Sequence, residues 1–99
     1  MPLQLHLTGR AAAEIERAAQ WWALNRPAAP GAVRKDLTAA TLALCVEPGI
    51  GSAVSQASAR DVRRFYLDRI GYWVYYRARG ARLEIPSVWH ASRGAGLRL

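Results

Sequence analysis

The sequence contains little cysteine, lysine and histidine, and these shortages exclude several classes of protein. Cys45 is the one cysteine among 99 residues, so the chain cannot form an internal disulfide and lacks the ligands for a structural zinc site. No apolar run approaches the roughly 18 residues that a membrane-spanning helix needs. The opening residues MPLQLHLTGR are too short and too interrupted for a signal peptide. We therefore expect a cytoplasmic protein with no metal, no cofactor and no membrane contact.

The positive charge is carried almost entirely by arginine and is concentrated in the second half of the chain. Of the 14 basic residues only Lys35 is a lysine. Residues 1–49 hold five basic and four acidic side chains, whereas residues 50–99 hold nine and three. Because the planar guanidinium matches carboxylate and phosphate groups, we expect either an acidic protein segment or a nucleic acid as partner.

Length and hydrophobic periodicity predict a single α+β domain over residues 1–99, with a helical hairpin packed on a small, mostly antiparallel sheet. The order of elements is β-α-α-β-β-β. The predicted bounds are a strand at 3–7, helices at 8–25 and 31–47, and strands at 62–67, 72–78 and 82–90.

The first strand alternates leucine with polar residues, which predicts that Leu3, Leu5 and Leu7 share a buried face. Thr8 can then cap the first helix. The apolar stripe of that helix consists of Ile15, Ala18, Ala19 and Trp22. On this pattern Glu14 faces away from the core. Trp21 either edges the core or lies exposed for a partner.

The second helix is predicted to bury a stripe made of Val33, Leu37, Ala40 and Leu44, widened by Leu42 and Val46. The segment PGIG ends it, because proline cannot continue a helix and glycine suits the turn that follows. The small, polar residues at 51–59 are expected to form a loop.

The run YWVYYRA at 72–78 is apolar on both faces, which is typical of a central strand. Short connections on either side of it favour antiparallel pairing with both neighbours. Pro86 interrupts the last run, and since proline donates no ladder hydrogen bond, it is expected at a bulge or on an unpaired side.

Five segments, in this order, resemble the ParE branch of the RelE/ParE toxin superfamily. They are IERAAQWWALNRPAAP, PGIG, VRRFYL, GYWVYYRARGARLEI and VWHASRG. The similarity covers nearly the whole chain. The chain departs from the family pattern at Trp73, at Pro86 and in the less charged tail ASRGAGLRL.

The resemblance implies the toxin of a type II toxin–antitoxin pair. Such a toxin inhibits a cellular target by binding it, with DNA gyrase as the target associated with ParE members. It is neutralised in a hetero-oligomer by a cognate, acidic, ParD-like antitoxin, through which it is indirectly associated with DNA. Under this interpretation the residues that bind the antitoxin or the target are Arg63, Arg64, Trp73, Tyr75, Arg77, Trp21 and Arg93.

The RelE branch offers the main alternative, a ribosome-dependent mRNA endonuclease. Cutting RNA without a metal requires an acid, a base and cations around the phosphate. His90 would then be the acid or base, with Arg64 and Arg77 on the phosphate. The histidine can equally close the sheet edge as a hydrogen-bonded structural residue. A third interpretation is a basic nucleic-acid-binding module without toxicity, whose binding would depend strongly on salt.

Overall fold

The computed structural model describes residues 1–54 and 61–92. Its elements are β1 (Gln4–Leu7), α1 (Gly9–Asn25), α2 (Ala32–Val46), a 3₁₀ turn (Pro48–Ile50), β2 (Ser52–Ala53), β3 (Arg63–Leu67), β4 (Tyr72–Arg79) and β5 (Arg82–His90). The predicted α+β class and element order are confirmed. The short strand β2 is an addition, because it lies in a segment that was expected to be loop.

The five strands form one sheet in the order β1-β5-β4-β3-β2. The pairs β2–β3, β3–β4 and β4–β5 are antiparallel, and only β1 pairs in parallel, with β5. The central position of β4 agrees with its apolar residues on both faces. As the connections from β3 to β5 are tight turns, antiparallel pairing there needs no crossover.

The core lies between the helical hairpin and one face of the sheet. Its buried residues from α2 are the predicted stripe together with Ala32 and Cys45, and those from the sheet include Val74, Tyr76, Leu83, Ile85 and Val88. Ile15, Ala19 and Trp22 of α1 pack against this cluster while partly exposed. Burial of this apolar surface is the main stabilising contribution to the fold.

Two predicted extensions of the core are wrong. Leu5 and Leu7 are 46% and 38% exposed, because β1 is an edge strand that pairs with β5 alone. Leu42 and Val46 are 65% and 67% exposed, since the buried stripe of α2 extends toward Thr41 and Cys45 and not toward these two residues. Single exposed apolar residues of this kind are normal on protein surfaces.

Thr8 joins the start of α1 to the sheet. Its hydroxyl oxygen accepts a hydrogen bond from the backbone N–H of Ala11 at 3.1 Å, which caps the helix as predicted. The same hydroxyl donates to the carbonyl of Pro86 at 3.1 Å. Pro86 lies at the bulge expected for it, where Ile85 and Pro86 together face the single residue Tyr76.

A second junction fixes the end of α2 against the central strand. The hydroxyl of Tyr76, which is fully buried, donates to the carbonyl of Pro48 at 2.7 Å and accepts from the N–H of Gly51 at 2.8 Å. Burial raises the pKa of this phenol, although the Gly51 hydrogen bond and the charge of Arg63 oppose the shift. A Cβ at position 51 would lie 2.3 Å from the Tyr76 oxygen, so the close approach requires glycine.

None of the helices within the two described ranges is long and apolar enough to cross a membrane.

Candidate functional site

Alternate residues of β4 divide the sheet into two sides with different chemistry. Tyr72, Val74 and Tyr76 point to the helices, and we call this the helix-facing side. Trp73 and Tyr75 belong to a separate cluster, and we call this the outer side. Among the residues that the structure describes, that cluster consists of Val54, Val62, Trp73, Tyr75 and Trp89, and no residue of α1 or α2 contributes to it.

The outer side presents a cluster of one cation and two aromatic rings. The guanidinium carbon of Arg64 lies 4.1 Å from the centre of the Trp73 ring, which is a close cation–π contact. The ring of Tyr66, which is 38% exposed, lies 4.8 Å from the same tryptophan. The strand register places these side chains together, because Tyr66 pairs directly with Trp73 and Arg64 with Tyr75.

Arg77 lies on the same side and is neutralised by Glu84. The guanidinium donates to the carboxylate at 2.8 Å across the β4–β5 pair, with each side chain about one-fifth exposed. This hydrogen bond is the largest cause of a lowered pKa at Glu84, and burial opposes it. The pair leaves Arg77 less free than Arg64 to bind an external anion.

The β4–β5 hairpin adds two further arginines to the outer side. Arg79 and Arg82 pair directly across the hairpin, two residues from the Arg77–Glu84 pair. Neither forms an ion pair with any residue that the structure describes.

Two residues predicted to bind a partner also make contacts within the fold. Tyr75 is 6% exposed and packs beneath Trp73 and Trp89, so it offers little surface. Arg63 donates to the backbone carbonyl of Gly51 at 2.6 Å, at the junction that ends α2, and its side chain remains partly exposed.

The helix-facing side opens into a cleft between α1 and the end of the sheet. The cleft has a volume of about 380 Å³, within the range of ligand-binding pockets. Its lining includes Glu14, Arg17, Ala18, Trp21, Trp22, Tyr72, Val88, His90 and Ser92. Trp21 is 49% exposed and meets Trp22 edge-on, with ring centres 6.1 Å apart, and Arg26 covers both rings.

His90 is held in this cleft by its neighbours. Its Nδ1 accepts a hydrogen bond from the N–H of Ser92 at 3.1 Å, and the serine hydroxyl lies 2.5 Å from the same nitrogen. Its ring meets Tyr72 edge-on, with centres 4.9 Å apart. The N–H of Ser92 thus engages Nδ1 as a hydrogen-bond acceptor and fixes the orientation of the ring.

Glu14 is the residue that the helical pattern misplaced. It is 8% exposed, and its Oε1 accepts from the hydroxyl of Ser87 at 2.9 Å and from the N–H of Val88 at 3.1 Å. Arg10 lies 3.6 Å from its other oxygen. The apolar periodicity could not reveal this burial, because the partners lie 73 and 74 residues along the chain.

The residues of the endonuclease alternative are not brought together. His90 lies in the cleft on the helix-facing side, whereas Arg64 and Arg77 lie on the outer side. The cleft does gather Glu14, Arg17 and His90, a set that sequence reasoning did not single out. Arg93 lies outside the described residues. Over the described ranges, no group of three or more His, Cys, Asp or Glu side chains could hold a metal ion.

Comparisons with known proteins agree with this architecture. Among solved structures, the chain is similar to one described as "Chromosomal ParDE TA system from P. aeruginosa", with a TM-score of 0.74 and 18% identity. The match covers 91% of this chain and 97% of that one, and at this identity it shows the shared fold. No curated protein matches the chain. A family model described as "ParE toxin of type II toxin-antitoxin system, parDE" matches residues 5–94. The chain therefore belongs to the ParE toxin family of type II toxin–antitoxin systems.

Proposed function

We propose that the chain acts as a toxin by binding and inhibiting DNA gyrase in the cytoplasm, without chemistry of its own. The observation that carries the proposal is family membership over residues 5–94. The separation of the one candidate acid–base residue, His90, from the arginines of the outer side supports a binding role. Gyrase itself is inferred from the family alone.

Neutralisation is proposed to come from a cognate acidic, ParD-like antitoxin that forms a hetero-oligomer with the toxin and links it to DNA. Acidic side chains of the antitoxin would meet Arg64 and the arginines of the β4–β5 hairpin. An apolar side chain would enter the cleft beside Trp21, whose exposed ring offers contact area at low entropic cost. Mixed contacts of this kind are typical of disordered segments that fold on binding.

A supercoiling assay tests the proposed target. Purified toxin is titrated into DNA gyrase with relaxed plasmid, and the loss of supercoiled product is measured. We expect inhibition that is relieved when the antitoxin is added first. Undiminished supercoiling at a large excess of folded toxin would contradict gyrase as the target.

The endonuclease remains the second candidate, and the cleft is the observation that favours it. Glu14, Arg17 and His90 line one concave site, which is a residue set suited to phosphodiester cleavage. Against this, Glu14 Oε1 already accepts two hydrogen bonds, and His90 Nδ1 is occupied by Ser92. Both groups are therefore engaged as structural acceptors.

Replacing His90 separates the two candidates. His90→Ala is expressed beside the unchanged toxin, and both growth and the ends of translated mRNAs, mapped by primer extension, are followed. We expect growth inhibition to persist and no toxin-dependent cleavage in either strain. Transcript ends that appear with the toxin and vanish with His90→Ala would establish the endonuclease instead.

A further inference from the structure

The outer side combines the exposed ring of Tyr66 and the partly exposed ring of Trp73 with cations. The two ring planes are tilted by 47° with centres 4.8 Å apart, and Arg64 covers the tryptophan at 4.1 Å. These rings lie away from the main core, which is built on the helix-facing side. Flat aromatic and guanidinium surfaces on an open sheet face are the surfaces on which unpaired bases stack.

The arginines of the β4–β5 hairpin repel each other, and this repulsion favours an anionic partner. Arg79 and Arg82 are direct cross-strand neighbours, and like charges in that position destabilise a sheet. Within the described residues neither has an ion-pair partner, and Glu84 nearby is already bound to Arg77. An external anion would relieve this repulsion.

We propose that the outer side is a binding surface for single-stranded nucleic acid. Bases stack on Trp73 and Tyr66, and phosphates of the same strand lie against Arg64, Arg79 and Arg82. This direct contact goes beyond toxin binding to gyrase and differs from association with DNA through the antitoxin.

The two aromatic rings distinguish a nucleic acid from the acidic antitoxin segment, which would compete with it for the same arginines. A glutamate-rich segment would satisfy the arginines equally well, but it carries no planar group to stack on Trp73 and Tyr66. Base–aromatic stacking contributes about 1–3 kcal/mol per base, which corresponds to at least about fivefold in affinity. Dependence of binding on the two rings therefore distinguishes the two classes of partner.

The test measures fluorescence anisotropy of a labelled 16-nucleotide oligothymidine titrated with the full-length toxin across a range of salt concentrations. With three phosphate contacts, the slope of log affinity against log salt is expected to be about −2. Arg79→Gln combined with Arg82→Gln should reduce that slope to about −0.7, because two contacts are lost. Arg34→Gln with Lys35→Gln, on α2, removes the same net charge and should leave the slope unchanged.

Two further variants test whether bases contact the rings of Tyr66 and Trp73. Tyr66→Ala should weaken binding at least about fivefold. Trp73→Phe keeps an aromatic ring in place, so it should still bind, but the quenching of tryptophan fluorescence by the oligonucleotide should largely disappear. Because Trp73→Phe keeps an aromatic ring in the cluster, this optical readout tests the contact even if Tyr66→Ala folds poorly.

Three results would overturn the proposal. One is the absence of oligonucleotide binding by the folded chain at low salt. Another is an equal effect of the α2 control and the hairpin variants, which would indicate diffuse charge attraction. The third is unchanged oligonucleotide affinity in Tyr66→Ala, which would show that bases do not contact the rings and would leave the surface to the acidic antitoxin segment. None of these results depends on whether the toxin inhibits gyrase.

Discussion

The two sides of the sheet are stabilised by different kinds of interaction. On the helix-facing side, two buried polar side chains are specifically paired, Tyr76 with Pro48 and Gly51 and Glu14 with Ser87. On the outer side, Arg64 lies on Trp73, and Arg77 pairs with Glu84 near the surface. Buried unpaired groups are costly, whereas surface pairs contribute little. The helix-facing side therefore holds the fold together, and the outer side is free to serve binding.

The largest expected effect is that of Gly51→Ala. Its Cβ would lie 2.3 Å from the Tyr76 hydroxyl oxygen and 2.8 Å from the backbone oxygen of Arg64. We expect a loss of about 3 kcal/mol in the free energy of unfolding, measured by urea denaturation. Gly49→Ala is the matched control, because a Cβ there meets nothing within 4 Å. Equal stabilities of Gly51→Ala and Gly49→Ala would show that the close contact between Gly51 and Tyr76 does not support the fold.

A smaller effect is expected for Glu14→Ala. The substitution leaves the hydroxyl of Ser87 and the N–H of Val88 without an acceptor inside the protein. We expect a loss of about 2 kcal/mol in the free energy of unfolding. Glu16→Ala, two residues away, removes only an exposed pair with Arg34 and should cost about 0.5 kcal/mol or less. If Glu14→Ala lowers the free energy of unfolding no more than Glu16→Ala does, the buried carboxylate does not support the fold.

The smallest effect concerns Glu84 on the outer side and is visible in the pH dependence of stability. Its folded-state pKa is lowered, mainly by the hydrogen bond from Arg77. The stabilisation is therefore present above the unfolded-state pKa of about 4.3 and is lost as the pH falls through the lower, folded-state value. Glu84→Gln should reduce the decrease in the free energy of unfolding at acidic pH by less than about 1 kcal/mol. An unchanged pH dependence would show that the Arg77–Glu84 pair does not contribute to stability.

The sequence predicted the elements because their signals are local. The threonine cap, the PGIG helix end and the alternation along β4 each act over a few residues, and each places its element within about two residues of the observed bounds. The bulge at Pro86 followed from the missing N–H of proline alone.

The candidate site was harder to predict, because its contacts join distant parts of the chain. The burial of Glu14 depends on Ser87, and the position of the Arg63 guanidinium depends on the carbonyl of Gly51. The alternation of β4 correctly grouped Trp73, Tyr75 and Arg77 on one side. It could not show that Tyr75 is covered by Trp89, which comes from the neighbouring strand.

The central claim, that one side of the sheet supports the fold and the other binds partners, is tested most directly with a pair of variants. Tyr76→Phe and Arg64→Glu are compared for both the free energy of unfolding and the affinity for the cognate antitoxin. Removing the Tyr76 hydroxyl leaves a buried N–H unpaired, so it should cost about 2 kcal/mol of stability while affinity stays unchanged. Reversing the charge at Arg64 should weaken binding at least about tenfold and lower stability by less than about 1 kcal/mol. Equal weakening of antitoxin binding by both variants, or none by Arg64→Glu, would contradict the account.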